Sequence, residues 1–265
     1  MLDAHNMECG KTIWRIRHRA VTESTNADAL GGVPGDVFTA DLQRSGRGRL
    51  SHRWLSPAGE NLMMSVVLDV GEMPPDVVAT LPIAVGLAVA NSVASLLYSH
   101  GTCLPSDRFG GVKIKWPNDI LVDSRKVCGI LCERNGDCAI AGIGVNVNQT
   151  EFAPEIADRA TSLRVEIERT LGAGSASFLS VVGVRDAVLA KMDEVLGVWR
   201  SGGLAGILPD VARFDYLKGR FVSVRRTDDD ENPVAGVCGG ILPDGALEVG
   251  GVPVYAGEAH ILHIA

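Results

Sequence analysis

Apolar spacing divides the chain into strands and helices before any motif is considered. Ile13–Val21 alternates loosely and is basic, as a strand with one solvated face would be. Thr22–Leu30 offers Thr22, Ser24, Thr25 and Asn26 as N-caps for a short helix. Val37–Leu42 reads as a strand ending at the Gly/Arg loop, Leu62–Leu68 as a buried strand, and Leu81–Leu97 as a core helix. A strand cluster is expected next, at Val112–Trp116, Ile120–Val122, Lys126–Glu133 and Cys138–Val147. Helical spacing returns over Phe178–Trp199, and a second short helix is expected at Leu204–Phe214. After Lys218 the pattern becomes short strands separated by turn signals: Phe221–Arg225, Val234–Val237, Ala246–Val249, Val252–Tyr255 and Ala259–Ile264. This predicts an α/β (α+β) domain over residues 1–214 and a small β-barrel over 215–265.

Composition narrows the function classes. At 265 residues and 46% hydrophobic, the chain can bury a substantial core. Its net charge of -7 argues against a surface built throughout for nucleic acid. Leu81–Leu97 is interrupted by Pro82, Gly86, Asn91, Ser92 and Ser95, so it reads as a core helix and no membrane segment is expected. Met1–Lys11 has no apolar run of signal-peptide length. Cys9, Cys103, Cys128, Cys132, Cys138 and Cys238 form no CxxC pair. A reduced cytoplasmic protein is the expectation.

Candidate chemistry falls in five segments. Between Gln43 and Trp54, Arg44, Arg47, Arg49 and Arg53 are interleaved with Gly46 and Gly48. Guanidinium groups and freely turning backbone suit an anion, but a solvated loop or a nucleic-acid contact would read the same way. Lys113–Asp119 holds Trp116-Pro117-Asn118-Asp119, which taken alone reads as an ordinary hairpin with exposed lysines. Lys126, at the mouth of an apolar strand, can project its ammonium toward a transferring phosphoryl or nucleotidyl group. Gly142 and Gly144 suggest a strand closely approached by another group, and Asn146 could meet a purine edge. Glu23-Ser24-Thr25-Asn26 could cap a helix or hydrogen-bond a small polar ring. The chain carries no GxxxxGK[ST] phosphate loop, and the Gly142 run lacks the full dinucleotide fingerprint.

In combination and order these segments are specific. Ser24-Thr25-Asn26, Gln43 with Gly46-Arg47-Gly48-Arg49, Lys115–Asp119, Lys126 with Gly129-Ile130-Leu131, and Gly142-x-Gly144-x-Asn146 resemble the biotin–protein ligase family. The likeness runs from about Ser24 to Asn148. It implies a mixed sheet flanked by helices, like that of class II aminoacyl-tRNA synthetases and lipoate ligases, followed by an SH3-like barrel. The implied reaction joins biotin to ATP with magnesium, then passes biotin to a lysine of a biotin carboxyl carrier protein or domain. Ser24, Thr25, Asn26, Gln43, Gly46, Arg47, Gly48, Arg49 and Lys126 would hold biotin. Arg49, Trp54, Lys115, Asn118, Lys126 and Asn146 would face ATP or the adenylate, with Arg49 and Lys126 catalytic. No protein ligand to a metal is named, since ATP phosphates and water would supply most of the coordination. Homodimerisation is a family option.

His52 departs from the family, where an arginine is common. Only about twenty residues precede Ser24, fewer than a winged-helix DNA-binding domain needs, so the monofunctional type without nucleic acid is expected. The rivals are a lipoate or octanoate ligase or transferase of the same superfamily, and a regulator that uses the basic loop on nucleic acid.

Overall fold

The computed structural model describes residues 3–9, 12–49, 52–102, 111–226 and 231–262, with backbone alone at 3, 4, 8 and 9. Leu50, Ser51, Cys103, the turn residues 227–230 and the expected strand end at Ile264 lie outside them.

The first sheet contains β1 (Asp3–Cys9), β2 (Thr12–Thr22), β3 (Asp36–Gln43), β4 (Leu62–Asp69), β5 (Val112–Lys115), β6 (Asp119–Val122), β7 (Arg125–Asn135) and β8 (Cys138–Val145). Its order is β1-β2-β3-β4-β8-β7-β6-β5. The β2–β3 pair is parallel and the other pairs are antiparallel, so the sheet is mixed. β4 is buried from Leu62 to Leu68, as befits a central strand covered on both faces. Asp36, almost fully buried at the start of β3, accepts from Arg15 at 2.7 Å and from the Val33 amide at 3.2 Å. Burial alone would raise its pKa, but these donors hold the carboxyl below the usual aspartate value.

One face of the sheet carries α3 (Leu81–Ser99) and α5 (Val181–Phe214). α3 is long and apolar enough to cross a membrane, yet most of it packs into the core, as Pro82 and the interrupting polar residues suggested. α5 is continuous in name only: Gly203 has φ 60° and ψ −161°, which separates the two expected helices. Trp199, before that break, donates its indole N–H to Thr80 Oγ1 at 2.8 Å. The opposite face carries the short α1 (Thr25–Ala29), which lies across β3, β4 and β8.

Three elements had not been expected: β1, α2 (Pro75–Ala79) and α4 (Leu163–Leu171). β1 is polar and is held by backbone pairing to β2, which leaves no apolar signature. α4 has Ser162 as N-cap, accepting from the Val165 amide at 3.1 Å, and its carboxylate Glu166 is wholly buried against Arg125 at 2.7 Å.

The second sheet holds β9 (Phe221–Arg225), β10 (Val234–Ile241), β11 (Leu247–Val249), β12 (Val252–Val254) and β13 (Glu258–Ile261), in the order β12-β11-β10-β9-β13. The five expected strands are present in an antiparallel ladder of open order. It docks on the first sheet near the site, where Trp116 Nε1 donates to the Gly245 carbonyl at 3.0 Å.

Gly197 lies exposed within α5, and a Cβ built there meets nothing within 4 Å. Gly197→Ala should therefore stabilise the protein by about 0.5–1 kcal/mol through lost unfolded-state entropy and better helix propensity. Urea unfolding reads this directly, and an unchanged or lower midpoint would contradict it.

Candidate active site

Beyond the end of β3, Gln43 leads into a tight loop stitched by its own backbone. Gly48 N–H donates to the His52 carbonyl at 2.7 Å, His52 N–H to Arg49 at 2.9 Å, and Trp54 N–H to Gly46 at 3.0 Å. Arg47 and Arg53 form a β-bridge across it. Gly46 is needed for this closure, because a Cβ there would fall 2.5 Å from the Trp54 carbonyl oxygen.

The loop forms one wall of an open cleft. Ser24, Thr25, Asn26 and Gln43 line its polar end. Arg47, Gly48, Arg49, His52, Arg53 and Trp54 line the loop side. Lys115, Asn118, Asp119 and Lys126 also line it, as do Gly129, Gly142 and Gly144. Most of the expected site residues therefore share one cavity. Gly46 and Asn146 are not on its lining. Asn146 is buried and donates its Nδ2 to the Thr161 carbonyl at 2.9 Å, so at least one of its amide protons is used within the protein.

The polar end is built on α1. Ser24 is its N-cap in an extended conformation, which brings Thr25 and Asn26 into the first turn facing the sheet. Gln43 Oε1 accepts from the Thr25 amide at 2.8 Å and lies 3.1 Å from Thr25 Oγ1. The close approach expected at the strand glycines is present. A Cβ on Gly142 would lie 2.9 Å from Asn26 Cγ, and one on Gly144 would lie 2.5 Å from the Trp54 indole. That indole N–H is buried with no hydrogen-bond partner among the described residues.

Lys126 owes its place to an irregularity in the β6–β7 ladder. Ile120 pairs with Cys128 but Leu121 pairs with Lys126, so Val127 is an extra residue. Strict alternation would put Lys126 on the face of Cys128 and Ile130, inside the core. The bulge turns it to the face of Gly129, where Lys126 Nζ lies 3.2 Å from the position of a Gly129 Cβ. Its main chain is clamped as well: Lys126 N–H donates to Arg159 at 2.7 Å, and Thr161 N–H donates to the Lys126 carbonyl at 2.9 Å. Its ammonium pairs with Asp119 at 2.7 Å.

Arg49 donates to the Gly257 carbonyl at 3.2 Å, and its Nη1 lies 3.4 Å from Asn118 Oδ1. Burial pulls its pKa down from the usual arginine value, while Asp119 and Glu258 oppose that shift. A partly desolvated guanidinium is a stronger electrostatic partner for a phosphate than one in bulk water. Glu258, on the second sheet, also lines the cleft and was not anticipated. Its only sequence signal is a turn glycine, Gly257, which many loops share. Cys128 and Cys132 lie beneath the cleft on β7, and burial raises both thiols, that of Cys132 to about 12. Neither is a nucleophile at neutral pH.

Residues 20–149, just under half of the chain, match the Biotin/lipoate A/B protein ligase family. Among curated proteins, it is 38% identical over 151 residues to the biotin–[acetyl-CoA-carboxylase] ligase of Mycobacterium tuberculosis, covering 54% of this chain and 53% of that one. The match thus spans about half the length of that relative. The bifunctional ligase/repressor BirA of Salmonella typhimurium is 27% identical over 256 residues, 93% of this chain and 73% of BirA. Among solved structures, the biotin protein ligase of Aquifex aeolicus in complex with biotin and ATP superposes with a TM-score of 0.73 at 26% identity, covering 96% of this chain and all of that one.

Proposed function

We propose that this protein is an ATP-dependent, AMP-forming biotin–protein ligase. The observation that carries the reading is one cleft with two chemically different ends. Ser24, Thr25, Asn26 and Gln43 offer a compact polar set for a small ring, while Arg49 and Lys126 bring cations to the same cavity. Biotin's ureido ring and carboxylate would span those ends, with Gly46, Arg47 and Gly48 closing over them and the ATP α-phosphate beside Lys126.

The carboxylate is ionised at neutral pH and needs no base. Its oxygen attacks the α-phosphorus, and the bond from that phosphorus to the oxygen bridging the β-phosphate breaks, releasing pyrophosphate and leaving biotinyl-5′-AMP. A lysine amine of a biotin carboxyl carrier protein or domain then attacks the acyl carbon. AMP departs and the amine loses a proton. The enzyme's task is to align the reactants and neutralise crowded anions. Lys126 suits the α-phosphate and carboxylate, Arg49 the phosphate, and Trp54, Lys115, Asn118 and Asn146 the nucleotide side. Asn146 would act there from behind the cleft lining.

Magnesium fits this donor set as a partner of ATP. Among the described residues no group of three His, Cys, Asp or Glu side chains could cage a metal, so phosphates and water would supply most ligands, with Asp119 and Glu258 the carboxylates on the cleft lining. Bound there, the ion would offset phosphate charge.

An SH3-like closure of the second sheet, a class II synthetase-like core, domains at 1–214 and 215–265, a cytoplasmic location and an optional homodimer belong to the same reading. Free Cys128, Cys132, Cys138 and Cys238 support a reduced setting.

Transfer is tested by incubating the protein with biotin, magnesium-ATP and a biotin carboxyl carrier domain, then mapping the modified lysine by mass spectrometry. Arg49→Ala should release the preformed adenylate about 10–100-fold faster, the equivalent of one lost charge-assisted hydrogen bond. An unchanged off-rate in stopped-flow would remove Arg49 from phosphate binding.

A further inference from the structure

We infer that Ser65 and Glu133, neither of which lines the cleft, set the hydrogen-bond polarity of its ring-binding end. The inference rests on the cleft being a biotin site. Asn26 is almost fully buried, with its carboxamide held between these two side chains. Glu133 Oε2 lies 2.7 Å from Asn26 Nδ2. A carboxylate can only accept, so the amide nitrogen must face it. That orientation sets Asn26 Oδ1 against Ser65 Oγ at 2.5 Å. Oδ1 also only accepts, so the Ser65 proton goes to Asn26. Ser65 then has only lone pairs for Thr25 Oγ1, 2.7 Å away, so the Thr25 proton goes to Ser65 in preference to the longer 3.1 Å contact with Gln43 Oε1.

The consequence reaches the cleft. Thr25, its proton committed inward, presents lone pairs to a ligand and accepts from a ring N–H. Gln43, its Oε1 occupied by the Thr25 amide, keeps Nε2 for other partners. A cyclic urea has an N–H for Thr25, whereas an isosteric ring with oxygen at that position meets lone pair against lone pair. Glu133 also receives Arg47 Nη2 at 3.1 Å, which ties the arginine loop to the same relay. Ser65 stands directly across the β4–β8 ladder from Gly142, the residue whose missing Cβ makes room for Asn26. Ser65 and Glu133 are thus positioning residues that act on the ligand through Asn26 and Thr25.

Calorimetric binding of biotin and of its cyclic carbamate analogue, with ring N–H replaced by O, tests this in the full chain. In Ser65→Ala the Thr25 hydroxyl keeps only the longer 3.1 Å contact with Gln43 Oε1 inside the protein and can turn to donate to a ligand. Biotin should then bind about 10-fold more weakly, while carbamate binding stays within about 3-fold or improves and ATP binding is unchanged. Glu133→Gln, which lets the Asn26 amide turn over, should shift the same preference in the same direction. Because Glu133 is partly exposed, that variant carries the test if Ser65→Ala fails to fold. Equal losses of both ligands, or biotin binding as in the wild type, would overturn the relay. Wild-type protein that binds no biotin would instead remove the reading on which the relay rests.

Discussion

Lys126→Ala is expected to slow adenylate formation by about 10²–10³-fold, the usual cost of removing one preorganised charge partner from a developing oxyanion. The effect should be large because the position is over-determined. A bulge at Val127 turns the side chain to the cleft, and Arg159 and Thr161 clamp its main chain. Truncation also leaves the Asp119 carboxylate without its 2.7 Å partner, adding a repulsive charge where phosphates would sit. The fold should persist, since the side chain is 37% exposed and Val127 beside it still fills the core. Single-turnover formation of biotinyl-AMP, alongside thermal melting, separates the two effects. A rate within a few-fold of wild type in a normally folded variant would place the chemistry elsewhere.

Gly142→Ala should weaken biotin by about 10–100-fold, the equivalent of 1.4–2.8 kcal/mol. The strand itself tolerates alanine, because Gly142 does not have a left-handed φ. The obstacle is Asn26, whose Cγ would lie 2.9 Å from the new Cβ and whose Oδ1 would be closer still. Asn26 cannot yield freely, being bonded to Ser65 on one side and Glu133 on the other. Relieving the clash therefore breaks the polar network that orients Thr25, and overpacking should add about 1–3 kcal/mol of destabilisation. Gly31→Ala is the control, because a Cβ there meets nothing within 4 Å. Wild-type biotin affinity in Gly142→Ala, measured by calorimetry, would mean that Asn26 does not shape the pocket.

Much of this organisation was legible in residue order. The strand and helix periodicities located most elements, including the separation of the two helices now seen at Gly203. The arginine–glycine loop, Ser24–Asn26, Lys115–Asp119 and Lys126 were identifiable as motifs, and the cleft gathers them. What remained hidden depends on tertiary register. Lys126 shares its parity with Cys128 and Ile130, and only the cross-strand pairing reveals the bulge that moves it to the other face. Ser65 sits in the apolar run Leu62–Leu68, where a lone serine reads as a tolerated core residue. Glu133 ends its apolar run like any solvated strand end, and Glu258 comes from the second sheet. Asn146 was read as a cleft residue, but its amide ties β8 to Thr161 behind the cavity lining.

The proposed reaction activates biotin with ATP in one cleft. Exchange of labelled pyrophosphate into ATP tests it most directly, since only the adenylate-forming half-reaction run backward can incorporate the label. With magnesium present, exchange should depend on biotin and should not be supported by lipoate or octanoate. No biotin-dependent exchange from folded, magnesium-supplied protein, or exchange driven equally by lipoate, would contradict it.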